Sequence, residues 1–204
     1  ERRGDYWMLG GIFRPVYLEC VPEQHIERVA IDARHDGKFA IEVFVEGAAK
    51  GAKVEVEVGG VGKAEAAAGA GAKKVRLELT GRDIKPWTAE TPNLYVAEVR
   101  LVQEGKVVHR AQQRFGFRTI EIREGDGVYV NGRRVLLKGV GRHCFWPDTG
   151  RALSRRISEM DAQLIKEMNM NAVRMTHYPP DEHFLEVCDE VGLTRRSGGS
   201  WSSR

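Results

Sequence analysis

The 204 residues are 42% apolar and 30% charged, enough to bury one ordinary core and begin a second, which excludes a wholly disordered chain. Lys plus Arg number 32 against 29 Asp plus Glu, with no block of like charge, so the net +3 gives nucleic-acid binding no support. No apolar run approaches the roughly 18 residues of a membrane span, and Glu1 is followed by no basic-then-apolar leader, so a soluble fragment that engages no membrane is expected.

Residues 26–31 open a series of short apolar-polar strands that continues at 39–45, 53–58 and 75–79. Lys53-Val54-Glu55-Val56-Glu57-Val58 alternates strictly, as a half-buried strand should. It interrupts a Gly- and Ala-rich stretch, 47–72, whose glycines are read as turns between strands. Strands at 94–101 and 107–115 follow, joined by Gln103-Glu104-Gly105-Lys106. Six or seven strands in this space fit an immunoglobulin-like antiparallel β-sandwich, although the antibody-type Cys pair is absent.

After Phe117 the pattern changes. Val128-Tyr129-Val130, Asn131-Gly132 and Val135-Leu136-Leu137 spell a hairpin with an Asn-Gly turn. Ile157, Met160, Leu164, Ile165 and Met168 recur at helical spacing, with Ser154 or Ser158 as cap. Residues 171–176 read as a short buried strand, and Phe184, Leu185, Val187, Cys188 and Val191 mark one face of a second helix ending at Gly192. Strand, helix, strand, helix implies parallel pairing through right-handed crossovers, that is, a partial (β/α) barrel segment. From Thr194 to Arg204 the chain is rich in Ser, Gly and Arg, so a third strand is not expected and disorder is.

Paired-carboxylate hydrolysis needs two acids facing each other, and all acids of the second half except Asp148 fall on or beside helices, so no catalytic pair is evident. Arg174 and His177 flank the end of the second parallel strand, at the mouth of the would-be barrel, where they could donate hydrogen bonds to a hydroxyl-rich ligand. A buried ion-paired Arg and a loop His explain the same residues equally well. Arg142 and His143 follow the first strand and approach the same mouth, beside Phe145 and Trp146. The widely spaced Cys20, Cys144 and Cys188 read as free thiols, Cys188 as a buried inert one. His143, Cys144, His177, His183 and Cys188 lack metal-site spacing, and no phosphate-binding glycine loop opens a helix. Neither metal nor cofactor is expected.

Gly11-Ile12-Phe13-Arg14-Pro15-Val16-Tyr17-Leu18, Trp87-Thr88-Ala89-Glu90-Thr91-Pro92-Asn93-Leu94-Tyr95 and Phe115-Gly116-Phe117-Arg118 resemble serial signatures of glycoside hydrolase family 2, the β-galactosidase and β-glucuronidase group. Lys138-Gly139-Val140-Gly141-Arg142-His143 and Asn171-Ala172-Val173-Arg174-Met175-Thr176-His177-Tyr178-Pro179 continue the order. The resemblance implies that residues 1–19 end a jelly-roll sugar-binding domain, 20–119 form the sandwich, 120–193 open a catalytic (β/α)8 barrel and 194–204 lie outside the pattern. It implies a retaining exo-glycosidase acting on terminal β-linked sugars through two Glu residues beyond this chain, which alone should be inactive. Arg174 and His177, and after them Arg142 and His143, match sugar-contacting positions. Gly141 stands where the family commonly has Asn, and Cys144-Phe145-Trp146 replaces acidic and His residues of the best-known β-galactosidases. The implied partner is carbohydrate, with a homo-oligomer left open; the alternative is a non-catalytic sandwich that binds carbohydrate or positions neighbouring domains.

Overall fold

The computed structural model describes residues 10–196, which fall into two compact units. The larger, 19–136 among the described residues, is built of strands alone. β1 (His25–Ala33), β2 (Lys38–Glu46) and β5 (Lys74–Thr80) form one antiparallel sheet, in the order β1-β2-β5. β3 (Ala52–Val58), β4 (Gly62–Ala68), β6 (Tyr95–Gln103) and β7 (Lys106–Phe115) form the other, in the order β4-β3-β6-β7. The chain changes sheet after β2, β4 and β5, the Greek-key connectivity of an immunoglobulin-like sandwich.

Each strand contributes by its alternation. Ile41, Val43 and Val45 of β2, Val54, Val56 and Val58 of β3 and Ala97, Val99 and Leu101 of β6 are sealed into one core between the sheets. The intervening charges stay on the outer faces, where Lys53 meets Glu55 at 2.7 Å and Glu65 at 2.9 Å, and Glu57 meets Lys63 at 2.9 Å. Such exposed pairs keep the surface wet and contribute little stability. β4 corrects the expectation for the Gly/Ala stretch. Its residues 62–68 are a strand, pairing Val54 with Ala66 and Val56 with Ala64. Ala is a poor strand former in isolation, but here the tertiary partner decides.

One end of the sandwich is closed by aromatics. Phe39, Tyr95, Phe115 and Phe117 cluster with ring centroids 5.0 to 6.3 Å apart. The Tyr95 hydroxyl, at the start of β6, accepts the Lys85 amide at 2.8 Å, as in the tyrosine corner of such sandwiches. Nearby Trp87 is buried, its amide donating to the Phe117 carbonyl at 2.9 Å.

A meander of β8 (Ile120–Arg123), β9 (Gly127–Val130) and β10 (Arg133–Val135) belongs to this unit rather than to the segment that follows it. Its Asn131-Gly132 turn has φ of 52° and 75°, the left-handed pair that a two-residue hairpin requires. Asn131 does more than turn the chain. Its Oδ1 accepts the Thr119 amide at 2.9 Å and its Nδ2 donates to the Trp87 carbonyl at 2.9 Å. The second hairpin strand starts earlier than expected, at Arg133, and Leu136 lies beyond it, largely exposed.

The smaller unit comprises residues 10–18 and 137–196 of the described chain. β11 (Gly139–Arg142), β12 (Ala172–Met175) and β13 (Thr194–Arg196) form a parallel sheet in that order, with α1 (Arg155–Glu167) and α2 (Glu182–Val191) as crossovers. The third strand corrects the expectation that none follows Leu193. Thr194 pairs with Ala172 and Arg195 with Val173, and the Arg195 guanidinium donates to the Leu185 carbonyl at 2.9 Å and meets Asp189 at 2.9 Å. Arg in place of the usual apolar residue hid the strand; the remainder of the expected disordered tail, 197–204, lies outside the described residues.

Both helices pack on one face of the sheet, against Val173 and Met175. Ser154 caps α1, its Oγ accepting the Ile157 amide at 3.4 Å, and Gly192 ends α2 with φ 81°. The packed stripe of α1 is not the expected one. Ser158, Ala162 and Ile165 are buried, while Met160, Leu164 and Met168 stand about half exposed. Ser158 replaces an apolar contact with a hydrogen bond to His183 Nδ1 at 2.9 Å, whose Nε2 donates to the Leu153 carbonyl at 3.2 Å. Among the described residues, no helix is long and apolar enough to cross a membrane.

Candidate functional site

The parallel sheet has one covered face and one open one. In β11 the alternation turns Val140 and Arg142 toward the helices, leaving Gly139 and Gly141 on the opposite side; in β12 it leaves Ala172 and Arg174 there. Gly141 pairs with Arg174 in register, so the exposed guanidinium side chain rises beside a residue with no side chain of its own. A shallow hollow lined by Leu137, Gly139, Gly141, Ala172, Arg174 and Thr194 results.

At the carboxyl ends of β11 and β12, three rings converge. His143 and His177 lie with centroids 5.6 Å apart, nearly perpendicular, and the Tyr178 ring lies 5.9 Å from His143. The Tyr178 hydroxyl sits 3.4 Å from His143 Nδ1 and accepts the Cys144 amide at 3.2 Å. These contacts fix the ring of His143 and, through backbone adjacency, the loop that carries His177. Two imidazoles and a phenol grouped at strand ends, with the Arg174 guanidinium on the open face of β12, supply neutral and charged hydrogen-bond donors, the chemistry that holds a polyhydroxylated ligand.

The sequence-expected residues thus separate. Arg174, His143 and His177 occupy the open face and the strand ends. Arg142 does not join them. It closes β11 instead of following it, so the two-residue alternation sends its side chain to the helix side, 8% exposed. There Nε donates to Asp161 Oδ2 at 2.8 Å and the guanidinium lies 3.9 Å above the Phe184 ring. Its part is to tie the end of β11 to α1 and α2.

Sequence reasoning missed the supports. Arg151 is stacked between the rings of Tyr178 and Phe13, 4.0 Å from each centroid. Arg14 donates to the Pro179 carbonyl at 2.5 Å and the Pro180 carbonyl at 3.3 Å, and lies 3.7 Å from Asp181 Oδ1. Phe13 and Arg14 belong to an aperiodic segment, so no pattern of burial announces them. Among the described residues, no group of His, Cys, Asp and Glu converges as metal ligands do.

Three helix carboxylates of this unit are engaged elsewhere. Glu159, Glu186 and Glu190 all bind Arg155, at 2.9, 2.5 and 2.8 Å, and hold its guanidinium well above its ordinary pKa, Glu186 most strongly. Asp148 is exposed on the loop after β11. No facing carboxylate pair lies on the open face among the described residues.

Residues 24–118 match the family model "Glycosyl hydrolases family 2", and residues 120–195 match "Glycosyl hydrolases family 2, TIM barrel domain". A β-galactosidase of Streptococcus thermophilus is 33% identical over 93% of the chain, which covers 19% of that protein. A putative β-glucuronidase of Formosa agariphila is 32% identical over 95% of the chain and 24% of its own length. The chain therefore spans about a fifth of the curated relatives it matches. Among solved structures, a Bifidobacterium dentium β-glucuronidase complexed with coumarin-3-O-glucuronide superposes with a TM-score of 0.76 at 26% identity, over 86% of this chain and 31% of that one. A Bacteroides cellulosilyticus family 2 member gives 0.78 at 23% identity, over 86% and 25%, a likeness of fold. Two consecutive matches to one family, meeting between residues 118 and 120, on a sandwich followed by parallel β/α units, place this chain in glycosyl hydrolase family 2.

Proposed function

We infer that the chain is the sandwich and the opening of the barrel of a retaining exo-glycosidase that hydrolyses terminal β-linked sugars, β-galactosidase-like in class. On this reading residues 1–19 end a jelly-roll domain, 20–119 are the immunoglobulin-like domain and 120–193 begin the barrel. The observation that carries it is the convergence of His143, His177 and Tyr178 at the carboxyl ends of parallel strands, where barrel enzymes build their sites, with Arg174 on the open face of β12.

Arg174, with its permanent charge, suits a sugar oxygen at the rim of the hollow, and the imidazoles can each donate or accept as their tautomer dictates. Retaining hydrolysis further needs a nucleophilic carboxylate and an acid/base carboxyl roughly 5 to 5.5 Å apart. The carboxylates of the smaller unit sit on its helices, at their ends or on an exposed loop, so these residues bind and orient sugar while the Glu pair comes from elsewhere in the full-length protein. The expected result is that the purified chain turns over no aryl β-glycoside, whereas the full-length protein does so with retained anomeric configuration. Turnover by the chain, freed of host enzymes, would overturn the assignment of the carboxylates. Saturable oligosaccharide binding by residues 19–136 would favour a carbohydrate-binding sandwich instead.

A further inference from the structure

The loop that carries His177 and Tyr178 is not held by the parallel sheet alone. Three consecutive residues after it, Pro179, Pro180 and Asp181, converge on one side chain contributed from the far end of the chain, Arg14. Two backbone carbonyls accept its N–H groups at 2.5 and 3.3 Å, and the Asp181 carboxylate lies 3.7 Å away. Neither proline has an amide hydrogen, so of the three residues only Asp181 carries a backbone donor.

Asp181 supplies an independent sign. It occupies the N-cap of α2 with extended φ and ψ, the place where an Asp side chain ordinarily accepts an amide of the first turn, yet it makes no such bond. Its side chain is 9% exposed, and Oδ2 has no hydrogen-bond partner. A buried carboxylate that forgoes its capping bond is costly unless a cation compensates it, and Arg14 is placed to do so. The preceding residue acts by a second route: Phe13 sandwiches Arg151 against the Tyr178 ring, whose hydroxyl lies 3.4 Å from His143 Nδ1.

We propose that Phe13 and Arg14 are positioning residues of the sugar site: Arg14 fixes the Pro179–Asp181 turn and with it His177, and Phe13 fixes Tyr178 and with it His143. The inference rests on the glycosidase reading for its consequence in turnover, but not for its geometry. Three variants separate the two routes, Phe13→Leu removing the ring that holds Arg151 against Tyr178. Arg14→Ala removes the carbonyl contacts and the cation; Asp181→Asn keeps the shape of the N-cap and removes only the charge pair.

The readout on the chain itself is the imidazole spectrum by heteronuclear NMR. Arg14→Ala and Asp181→Asn are expected to move the ring resonances of His177, and Phe13→Leu those of His143, while the methyl resonances of Ile165 and Val187 in the helix-packed core, and the rings of His25, His35 and His109 in the sandwich, stay in place. The Arg14→Ala/Asp181→Asn double variant should move His177 no further than Arg14→Ala alone, and Arg14→Lys, a point charge that cannot fork between two carbonyls, should restore it only in part. His177 unmoved in folded Arg14→Ala, His143 unmoved in folded Phe13→Leu, or shifts shared equally by the Ile165 and Val187 methyls, overturn the proposal. In the full-length protein Arg14→Ala should lower kcat/KM for an aryl β-glycoside about 10- to 100-fold, the scale of a misplaced binding group. Unchanged kcat/KM overturns positioning. Moved imidazoles in a full-length protein that cleaves no glycoside leave positioning standing and remove the glycosidase reading.

Discussion

Gly139 and Gly141 sit two apart on the same face of β11, yet they tolerate different things. A Cβ on Gly139 would lie 2.3 Å from the Ala172 carbonyl oxygen of the neighbouring strand, whereas one on Gly141 would meet nothing nearer than the Thr176 methyl at 3.6 Å. Gly139→Ala should therefore destabilise the smaller unit by about 1 to 3 kcal/mol, and Gly141→Ala should stay within roughly 0.5 kcal/mol of the parent, both measured by urea titration of helical circular dichroism. Equal effects would mean that β11 and β12 can separate freely at Gly139. The thiols offer a second residue-scale contrast. Burial pushes the Cys188 thiol up to about 12, while Cys20 is exposed. At pH 8 iodoacetamide should label Cys20 and spare Cys188; comparable rates, resolved by peptide mass spectrometry, would contradict the buried placement. The sign of the pH effect follows. Below pH 9 the thiol is neutral in both states, and above it the unfolded chain loses a proton that the folded one keeps, so Cys188 lowers stability progressively as pH rises from about 9 toward 12.

Among the elements, the ones written in strict alternation were the ones legible in advance. β2, β3, β5 and β6 carry their apolar residues at every second position, and the Asn131-Gly132 turn needs a left-handed pair that few other sequences supply. β4 and β13 were hidden because their partners, not their own residues, make them strands: Ala64 and Ala66 pack on the core without β-branched bulk, and Arg195 is buried by an ion pair with Asp189. In α1 the period was readable but the face was not, since a serine that bonds to His183 displaced methionine and leucine from the packed side. The same limit governed the site. Arg174 and His177 could be found from strand direction, but the fate of Arg142 turned on whether β11 ends before or at that residue, one position that inverts the side. The tyrosine corner tests how far such local bonds matter. Tyr95→Phe keeps the aromatic cluster and deletes the hydroxyl that accepts the Lys85 amide, so the sandwich should lose about 0.5 to 1.5 kcal/mol. A loss above about 3 kcal/mol would indicate disrupted ring packing instead.

On the scale of the whole molecule, the two units have unequal means of holding themselves. The sandwich encloses a core of strands from two sheets, Ile26 to Phe117, while among the described residues the core cluster of the smaller unit holds eight buried apolar residues between two helices and a sheet with one face open. Urea should accordingly remove the helical signal before the aromatic near-ultraviolet signal of the Trp87 region, and amides of β12 should exchange faster than those of β3. A single coincident transition by both probes would mean that the units unfold as one.

The hydrogen bond between Arg14 and Pro179 spans 165 positions of sequence, and the entire sandwich is written between its two ends. During synthesis at about 5 to 20 residues per second, Phe13 and Arg14 leave the ribosome roughly 8 to 33 s before the turn they will grip. The sandwich, whose strands all lie within that interval, can complete itself first. The smaller unit is thus completed after the sandwich although it owns the first described residues, and the segment that bears Arg14 meets its turn only then.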